Sequence, residues 1–383
     1  MMKRNFMENL LDGVTVEYKN LVEITKVLRG KRLTRDKLSG DERFPVFHGG
    51  LDPLGYYGLS NRPANSVMII NVGASAGTVG YSDVEFWSSD GCYCIQHSDL
   101  LDNKFLYYFL IGQQHLLRSK VRFAGIPTLD ANVIEKIKIP IPCPDNPEKS
   151  LEIQAEIVRI LDTFTELTAE LTAELTAELT ARKKQYNYYR EQLLTFEKGE
   201  VEWKPLGKIA DYEQPTKYLV KSTNYSDNFD TPVLTAGKTF ILGYTDEISG
   251  IYSASKSPVI IFDDFTTANK WVDFDFKAKS SAMKMITSKN ESKVLLKYIY
   301  YWINTLPNDL IVGDHKRQWI SNYSNKLIPI PPLGEQTRIV SILDKFEALT
   351  SSITEGLPRE IELRQKQYEY YRNMLFSFPK EGV

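Results

Sequence analysis

Cysteine is scarce in this chain, and a long apolar run is missing. Three cysteines occur among 383 residues, at positions 92, 94 and 143. An odd, sparse set is typical of reduced thiols, and Cys92-Tyr93-Cys94 lacks the second pair that a zinc site needs. Segment 1–11 has no apolar signal core, and no run approaches the ~18 residues of a membrane span. These absences predict a cytoplasmic protein without a metal site.

A strong charge of either sign is also missing. The formal net charge of −2 argues against a basic coat that binds nucleic acid nonspecifically. Local clusters remain possible, and residues 26–37 hold six basic side chains against only Asp36. With 42% apolar and 25% charged residues, the composition is ordinary for a globular protein of two or three domains.

Complete catalytic motifs are absent as well. Gly73-Ala-Ser75-Ala-Gly77 matches a nucleophile elbow, but the surrounding pattern does not alternate strands and helices as that fold requires. Ala236-Gly-Lys-Thr239 imitates the end of a phosphate-binding loop, but Pro232 stands where its first glycine belongs. The dinucleotide fingerprint, the Asn/Asp-Pro-Pro-aromatic tetrapeptide of amino-methyltransferases and a defensible nuclease carboxylate set are also missing. The chain therefore looks like a reader or scaffold, the enzymatic alternative being one that uses Ser75.

What the chain does contain is an internal repeat. The segment Ile157–Phe164 recurs 182 residues later as Ile339–Phe346, and Lys184–Arg190 recurs as Lys366–Arg372. Ile-Pro-Ile-Pro occurs upstream of both copies, at 139–142 and 328–331. A long repeat sets the architecture, and here it predicts two similar halves in a pseudo-two-fold molecule. Such a molecule suits a target with two half-sites.

Each copy of the repeat ends in a predicted long helix. Residues 150–196 contain neither proline nor glycine, their apolar residues recur at helical spacing, and Ser150 is the predicted N-cap. About 45 residues give a rod of roughly 68 Å, which needs a partner helix. The second rod, about 334–376, supplies it in an antiparallel pair. Pro358 predicts a kink or break in that second rod.

Three consecutive Thr-Ala-Glu-Leu units occupy residues 168–179 of the first rod. Leucines four residues apart drift about 40° per unit around a helix, so the stripe stays coherent over three units only. One interpretation is a low-complexity stretch of coiled coil. The sharper interpretation is a spacer, in which each unit adds about 6 Å, or between one and two base pairs at ~3.4 Å each.

Two mixed segments, about 15–145 and 200–332, are each interpreted as one α/β domain. Buried strands are expected at 67–70 and 258–262, and aromatic helices at 105–110 and 296–302. Segments at the two chain ends echo segments around 191–204, so the chain joined head to tail would form a ring of two equal units. The predicted fold is α+β, with two α/β domains separated by two long antiparallel helices in a circular organisation.

Basic, polar and aromatic loop residues are the candidate DNA contacts, because such side chains pair with phosphates or base edges. In the first domain they are Arg29, Lys31, Arg32, Lys37, Ser75, Thr78 and Arg122. In the second domain they are Lys217, Lys238, Lys270, Trp271, Lys316 and Arg317. The residues assigned to the spacer and to partner docking are Leu167, Leu171, Leu175, Leu179, Tyr186, Tyr189, Tyr368 and Tyr371.

In this combination of features the chain closely resembles the specificity subunits of type I restriction–modification systems. The carriers are the two half-chain repeats, the Ile-Pro-Ile-Pro segments and Pro331-Pro-Leu-Gly-Glu-Gln336, which opens the second rod. The Thr-Ala-Glu-Leu array points to the IC subgroup. The resemblance divides the chain into target recognition domains at 1–145 and 199–332, a central spacer helix at 146–198 and a C-terminal helix at 333–383.

The resemblance also implies a function. Each domain would read one half of a bipartite, asymmetric double-stranded DNA site, and the helices would set the gap and dock two methyltransferase subunits. S-adenosylmethionine would bind to those partners, and separate restriction subunits would use ATP and Mg²⁺, so this chain itself would hold no cofactor and catalyse nothing. The alternative from another class is a coiled-coil scaffold that presents two protein-binding domains.

Overall fold

The computed structural model describes residues 14–197, 199–236, 239–306, 317–351 and 356–378. The chain divides into two compact units. Unit 1 consists of Met1–Glu174 with Ile361–Val383, and unit 2 consists of Leu175–Glu360. The boundary at Glu174 therefore falls inside the Thr-Ala-Glu-Leu array.

The described residues of unit 1 form nine strands in three small sheets. The strands are β1 (Val16–Asn20), β2 (Val27–Leu28), β3 (Phe44–Phe47), β4 (Gly55–Tyr57), β5 (Ser66–Ile70), β6 (Val79–Ser82), β7 (Trp87–Ser88), β8 (Cys92–Ile95) and β9 (Lys138–Pro142). The short helices are α1 (Leu21–Ile24), α2 (Asn103–Gly112), α3 (Gln114–Ser119) and α4 (Ala131–Glu135), and the long helix α5 (Pro147–Leu194) follows. The sheets have the orders β1-β9, β2-β8-β5-β6 and β4-β3-β7.

Unit 2 repeats this arrangement. Its strands are β10 (Glu202–Pro205), β11 (Ala210–Glu213), β12 (Thr231–Leu234), β13 (Ile241–Thr245), β14 (Val259–Asp263), β15 (Asn269–Val272), β16 (Lys277–Ala278), β17 (Met283–Ser288) and β18 (Leu327–Ile330). Its helices are α6 (Leu206–Ile209), α7 (Leu296–Ile303), α8 (Gln318–Ser321) and α9 (Leu333–Ser351), and α10 (Gly356–Leu375) runs on into unit 1. The sheets have the orders β10-β18, β11-β17-β14-β15 and β13-β12-β16.

The two units share one topology. In each, the Ile-Pro-Ile-Pro strand pairs antiparallel with the first strand of the domain, as Ile139 does with Lys19 and Ile328 with Lys204. In each, one three-stranded sheet contains a parallel pair, β3 with β7 and β12 with β16. The repeated sheets, together with the long helices, confirm the predicted class of two α/β domains with helical connections.

The core of each unit forms where the four-stranded sheet meets an aromatic helix. Strand β5 is buried along its whole length, because Val67 and Ile69 pack in the main core on one face of the sheet and Met68 and Ile70 pack in a second apolar cluster on the other. Helix α2 covers that sheet with Phe105 and Leu110, and the first part of α5 closes the core of unit 1. In unit 2, α7 takes the same place over β14, and α9 and the end of α5 complete the core.

Helix α5 runs unbroken for 48 residues, as the absence of internal glycine and proline predicted. The predicted N-cap at Ser150 is wrong, because the helix begins at Pro147 and Ser150 is buried inside it. The side chain of Asn146 accepts a hydrogen bond from the amide of Lys149, and proline at the first helical position has no amide to leave unpaired. The cap therefore lies four residues earlier than predicted.

The second rod consists of two helices, α9 and α10. Gly356 opens α10 with a φ of 78°, in the left-handed region, and a Cβ there would lie 2.5 Å from the carbonyl oxygen of Ala348. Pro358 then falls in the first turn of α10, where its missing N–H breaks no helical hydrogen bond. The interruption predicted at Pro358 therefore comes before that residue, at a position that needs glycine.

Candidate nucleic-acid interface

In unit 1 a glycine-rich turn joins the buried strands β5 and β6. Gly73 and Gly77 both have positive φ, 84° and 85°, and the amide of Thr78 bonds to the carbonyl of Ser75 across the turn. Ser75 is half-buried in this turn. Two of the histidines have other partners, since His48 lies 3.3 Å from Asp90 and His97 lies 2.9 Å from the hydroxyl of Ser66.

Two further segments converge on this turn. The guanidinium of Arg118, in α3, donates a 3.0 Å hydrogen bond to the hydroxyl of Thr78. The amide of Gly73 donates to the carbonyl of Pro127, which ties the loop 122–128 to the turn. Arg122, at the base of that loop, forms an ion pair of 2.9 Å with Asp130 and stays 68% exposed. Ser75, Thr78 and Arg122 therefore lie on segments that are hydrogen-bonded to one another, and their role in DNA binding stays a prediction.

Sequence reasoning missed Arg118 and the exposed Lys120 beside these residues. A signal was present, because residues 103–129 contain Lys104, Arg118, Lys120 and Arg122 and no Asp or Glu. The charge count of the whole chain conceals this local excess. Only the folded arrangement shows that two of these cations flank the glycine-rich turn.

The basic run 29–37 lies beside strand β7 at Lys31. The amide of Lys31 donates to the carbonyl of Ser88 at 2.9 Å, and the side chain of Arg62 donates to the carbonyl of Arg29 at 2.6 Å. The side chains of Arg29, Lys31, Arg32 and Lys37 are exposed. Backbone hydrogen bonds connect this run to the glycine-rich turn. Lys31 bonds to Ser88, and the amide of Asn71, just before the turn, donates to the carbonyl of Gly91, three residues after Ser88.

In unit 2 the candidates divide between two places. Lys217 lies in a short 3-10 helix, Pro215–Tyr218, whose N-cap is Gln214, and Arg317 is the N-cap of α8. Lys217 forms a 2.8 Å ion pair with Glu213 and is 77% exposed. Lys270 is exposed on β15, an edge strand. Lys238 and Lys316 lie outside the described residues.

Arg317 is connected through Gln214 to a buried ion pair. Lys284 is fully buried, and its ammonium lies 3.5 Å from the carboxylate of the equally buried Asp264. With its amide oxygen turned toward the cations, Gln214 accepts from Lys284 at 3.1 Å and from Arg317 at 3.3 Å. Asp264 also accepts from the amide of Trp319. A buried charge is stable only when paired in this way, so the network holds Arg317 in place at the surface.

Trp271 occupies a different setting from the other candidates. Its ring lies 4.4 Å from the ammonium of Lys297, and its indole N–H donates to Asp273 at 3.2 Å. The side chain packs half-buried against the unit 2 core. The structure therefore gives Trp271 a packing role in the aromatic cluster of α7.

Each domain is fixed to its long helix by a polar joint that sequence reasoning also missed. In unit 1, the Tyr108 hydroxyl and the Lys104 ammonium both bond to the carboxylate of Asp162, at 2.6 and 2.8 Å. The buried Gln154 accepts from the amide of Asp102 and donates to the carbonyl of Leu100. Burial, and then the bond to Asp162, raises the pKa of Tyr108, so the hydroxyl remains a donor.

Unit 2 has the same joint with one more carboxylate. The Tyr301 hydroxyl donates to Asp344 and Glu347, and Lys297 lies 3.5 and 3.3 Å from these carboxylates. Gln336 accepts from the amide of Leu295 and donates to the carbonyl of Lys293. Burial raises the pKa of Tyr301, and the carboxylates raise it further. The signal in the sequence was the motif Lys-x-x-Tyr-Tyr, present in both aromatic helices at 104–108 and 297–301.

The tyrosines assigned to docking pack within the units. The Tyr371 ring lies 5.7 Å from that of Phe164, and the repeat-related Tyr189 lies 5.7 Å from Phe346. Tyr368 bonds to Thr165 at 3.0 Å, and Tyr186 lies 6.3 Å from Phe346. The array leucines Leu171, Leu175 and Leu179 are half-buried, whereas Leu167, just before the array, is 57% exposed. The docking assignment itself stays a prediction.

Two general findings concern the described part of the chain. No helix there is long and apolar enough to cross a membrane. The described residues likewise contain no group of His, Cys, Asp and Glu side chains arranged to hold a metal ion. Cys92 and Cys94 are buried free thiols, and burial raises their pKa to about 12 and about 11.

Comparison with known proteins identifies relatives of the whole chain. The family model for the type I restriction modification DNA specificity domain matches residues 13–181 and again 198–363. A putative type I restriction enzyme specificity subunit of Haemophilus influenzae is 34% identical, over 98% of this chain and 99% of its own length. The EcoR124I/EcoR124II specificity subunit of Escherichia coli is 65% identical over 51% of this chain, which spans 48% of that relative.

Solved structures show the same fold at low sequence identity. The S subunit of a type I restriction–modification system from M. genitalium has a TM-score of 0.51 and 16% identity, covering 100% of this chain and 99% of that one. A chain from a study of complex assembly and conformational transition of the type I system has a TM-score of 0.59 and 13% identity, covering 94% and 97%. The double match to the family model and the full-length bacterial relative show that this chain belongs to the DNA specificity subunits of type I restriction–modification systems.

Proposed function

We propose that this specificity subunit reads a bipartite, asymmetric double-stranded DNA target, with one half-site for each unit. The observation that carries the proposal is the duplicated topology with different loop chemistry. Unit 1 presents Ser75, Thr78 and Arg122 at a glycine-rich turn, whereas unit 2 presents Lys217 in the 3-10 helix that follows Gln214 and Arg317 beside the Gln214 amide. Two domains of the same topology that present different side chains are suited to recognising two different base sequences.

The chain is a non-catalytic member of its complex, as are the specificity subunits to which it is related. Its own residues agree with this role, because burial raises the pKa of Cys92 and Cys94 and holds them as thiols. Methylation and cleavage belong to the methyltransferase and restriction subunits with which this family assembles.

The finer composition of the complex is also part of the proposal. Two methyltransferase subunits bind, one for each repeat of the joint between a domain and a long helix. S-adenosylmethionine is bound by those subunits, and ATP with Mg²⁺ by the restriction subunits. A net charge of −2 supports this division, since a chain with no excess of cations needs partners to neutralise most of the phosphates.

The array at 168–179 is proposed to set the gap between the half-sites. It lies within the uninterrupted α5, and the boundary between the units falls inside it. An α-helix is stiff over this distance, so each four-residue unit changes the length of α5 by about 6 Å. Half-site spacing follows from the spacing of the reading elements.

Methylation-resolved genome sequencing tests the proposed function. The chain is co-expressed with its cognate methyltransferase subunits in a host that lacks adenine methylation. One new motif of two short blocks around a fixed gap supports the proposal and gives the target. A complex that forms but methylates sites without any common split motif would overturn it, as would sequence-specific methylation that does not require this chain.

A further inference from the structure

The loop after α3 carries two apolar side chains that the fold leaves in solvent. Phe123 is 74% exposed and Ile126 is 70% exposed, although the anchors on either side, Val121 and Leu129, are buried. Gly125 stands between them with a φ of 88°, and no atom lies near its Cβ position. Large apolar groups exposed this far at one loop tip are typical of an interaction site.

This loop tip is rigidly supported. Arg122 and Thr128 exchange two backbone hydrogen bonds of 2.9 and 3.0 Å, which close the loop as a narrow hairpin. The hydroxyl of Thr128 bonds back to the carbonyl of Ile126, and the carbonyl of Pro127 accepts from Gly73. The two apolar side chains are therefore held out on a fixed support, which lowers the entropy lost when they bind.

The surroundings of the tip favour DNA as its partner. The segment that leads into it, Arg118-Ser-Lys120-Val-Arg122, holds three cations and no acid, and Asp130 is the first carboxylate after it. The loop is bonded to the glycine-rich turn that carries Ser75 and Thr78. An apolar tip with cations at its base fits a base stack between two phosphate backbones, since Phe and Ile are side chains that enter base steps as wedges.

We propose that Phe123 and Ile126 form an apolar wedge that enters a base step in the half-site read by unit 1. Arg118 and Lys120 would bind the flanking phosphates. The wedge would unstack that step, so that its sequence is selected partly by how easily it deforms. This inference rests on the proposed function, because it requires that unit 1 binds a half-site.

The test uses the complete complex with methyltransferase subunits and short duplexes of the target found by methylation sequencing. Each duplex carries 2-aminopurine at one position outside the methylated adenines, since unstacking raises the fluorescence of this base. The wild-type complex is expected to raise the fluorescence several-fold at one step of one half-site. Phe123→Ala returns that step to the level of the free duplex and weakens binding about tenfold.

Salt dependence separates the wedge from its cationic support. Phe123→Ala and Ile126→Ala should weaken binding without changing the slope of log affinity against log salt, because they remove no charge. Lys120→Ala should lower that slope by about one. Leu59→Ala is the matched control, since Leu59 is 61% exposed elsewhere in unit 1. It should change neither the affinity nor the salt slope.

Three results would overturn the wedge. The first is specific binding by the wild-type complex with no responsive step, and the second is unchanged fluorescence and affinity in both alanine variants. The third is loss of the methyltransferase subunits from Phe123→Ala, which would make the tip a protein-docking site. A wild-type complex that does not prefer its target over a scrambled duplex would instead contradict the proposed function itself.

Discussion

The Tyr108 hydroxyl donates a 2.6 Å hydrogen bond to the carboxylate of Asp162. The bond joins the aromatic helix of the first domain to α5, and Tyr301 makes the same bond from the second domain to Asp344 in α9. In both places a lysine one turn earlier in the aromatic helix reaches the same carboxylate. The duplication has therefore preserved a polar joint as well as a topology.

Removing the tyrosine hydroxyls should weaken the two joints unequally. Tyr108→Phe should lower the free energy of unfolding by about 1 kcal/mol, because Asp162 keeps Lys104 and is partly open to water. Tyr301→Phe should cost about 2 kcal/mol, because the buried Tyr301 serves two carboxylates. Chemical denaturation of the full chain measures the loss, and hydrogen exchange assigns it to a unit.

Tyr370→Phe provides the control for this pair, since the Tyr370 side chain is 65% exposed on α10. It should leave the stability of the chain unchanged. Equal losses from all three variants, or no loss from Tyr301→Phe, would contradict the importance of the joint.

Gln154 and Gln336 should prove essential to the local structure around them. Each is fully buried and pairs its amide with both a backbone N–H and a backbone carbonyl in the loop before the aromatic helix. Alanine at either position leaves these groups unpaired and should cost about 3 kcal/mol. The amide of Asp102 in Gln154→Ala, and that of Leu295 in Gln336→Ala, should lose protection from hydrogen exchange.

Gln192→Ala is the matched control, because Gln192 is exposed on the same long helix as Gln154. Protection of Asp102 and Leu295 should be unchanged in it. Retained protection in Gln154→Ala would mean that the glutamine does not hold the loop.

The stability of unit 2 should depend on pH through Glu247. Its carboxylate accepts from the amides of Ser222 and Lys221 and lies 3.0 Å from the buried ammonium of Lys277. The bond from Ser222, followed by those from Lys277 and Lys221, lowers the pKa of Glu247 from 4.5 to about 2. The folded state therefore gains stability that is fully present above pH 4.5 and is lost as the pH falls toward 2.

Glu247→Gln should consequently destabilise unit 2 at pH 7, and the difference from wild type should shrink as the pH falls from 5 to 3. Chemical denaturation across this range gives the difference directly. Asp246→Asn removes an exposed neighbouring charge and should show no such convergence. A difference that stays constant from pH 7 to pH 3 would contradict the role of the Glu247 charge.

Deletion of Thr176–Leu179 should shorten the gap in the target by about one base pair and leave both half-sites as they are. Folding should survive, since the remaining units are strong helix formers and carry mostly exposed or half-buried side chains. Methylation-resolved sequencing reads the new gap. A deletion variant that keeps the original gap would end the spacer interpretation.

The sequence was sufficient for the architecture because the repeat and the helical periodicity are long signals. Residues 150–194, free of glycine and proline, predicted α5, and Pro358 predicted that the second rod is interrupted. The start of α5 was wrong by four residues, since Asn146 and Pro147 lie outside the apolar pattern. The exact ends of helices depend on single hydrogen bonds, which periodicity does not encode.

The site was predictable only in part. A basic or polar residue in a loop is recognisable, but its neighbours come from distant segments, as with Thr78 and Arg118. Trp271 is recognisable in sequence as an aromatic residue suited to base stacking, but its contact with Lys297 appears only in the folded chain. The pairing of Lys284 with Asp264 is invisible in sequence, because only burial distinguishes this lysine from a surface charge.

The most direct test of the central claim compares the methylated motifs of two triple variants. One carries Ser75→Ala, Thr78→Ala and Arg122→Ala in unit 1. The other carries Lys217→Ala, Lys270→Ala and Arg317→Ala in unit 2. If each unit reads one half-site, the first variant relaxes the base preferences of one block and the second those of the other block, with the gap unchanged. Relaxation of the same block by both variants, or an unaltered motif in both, would contradict the account.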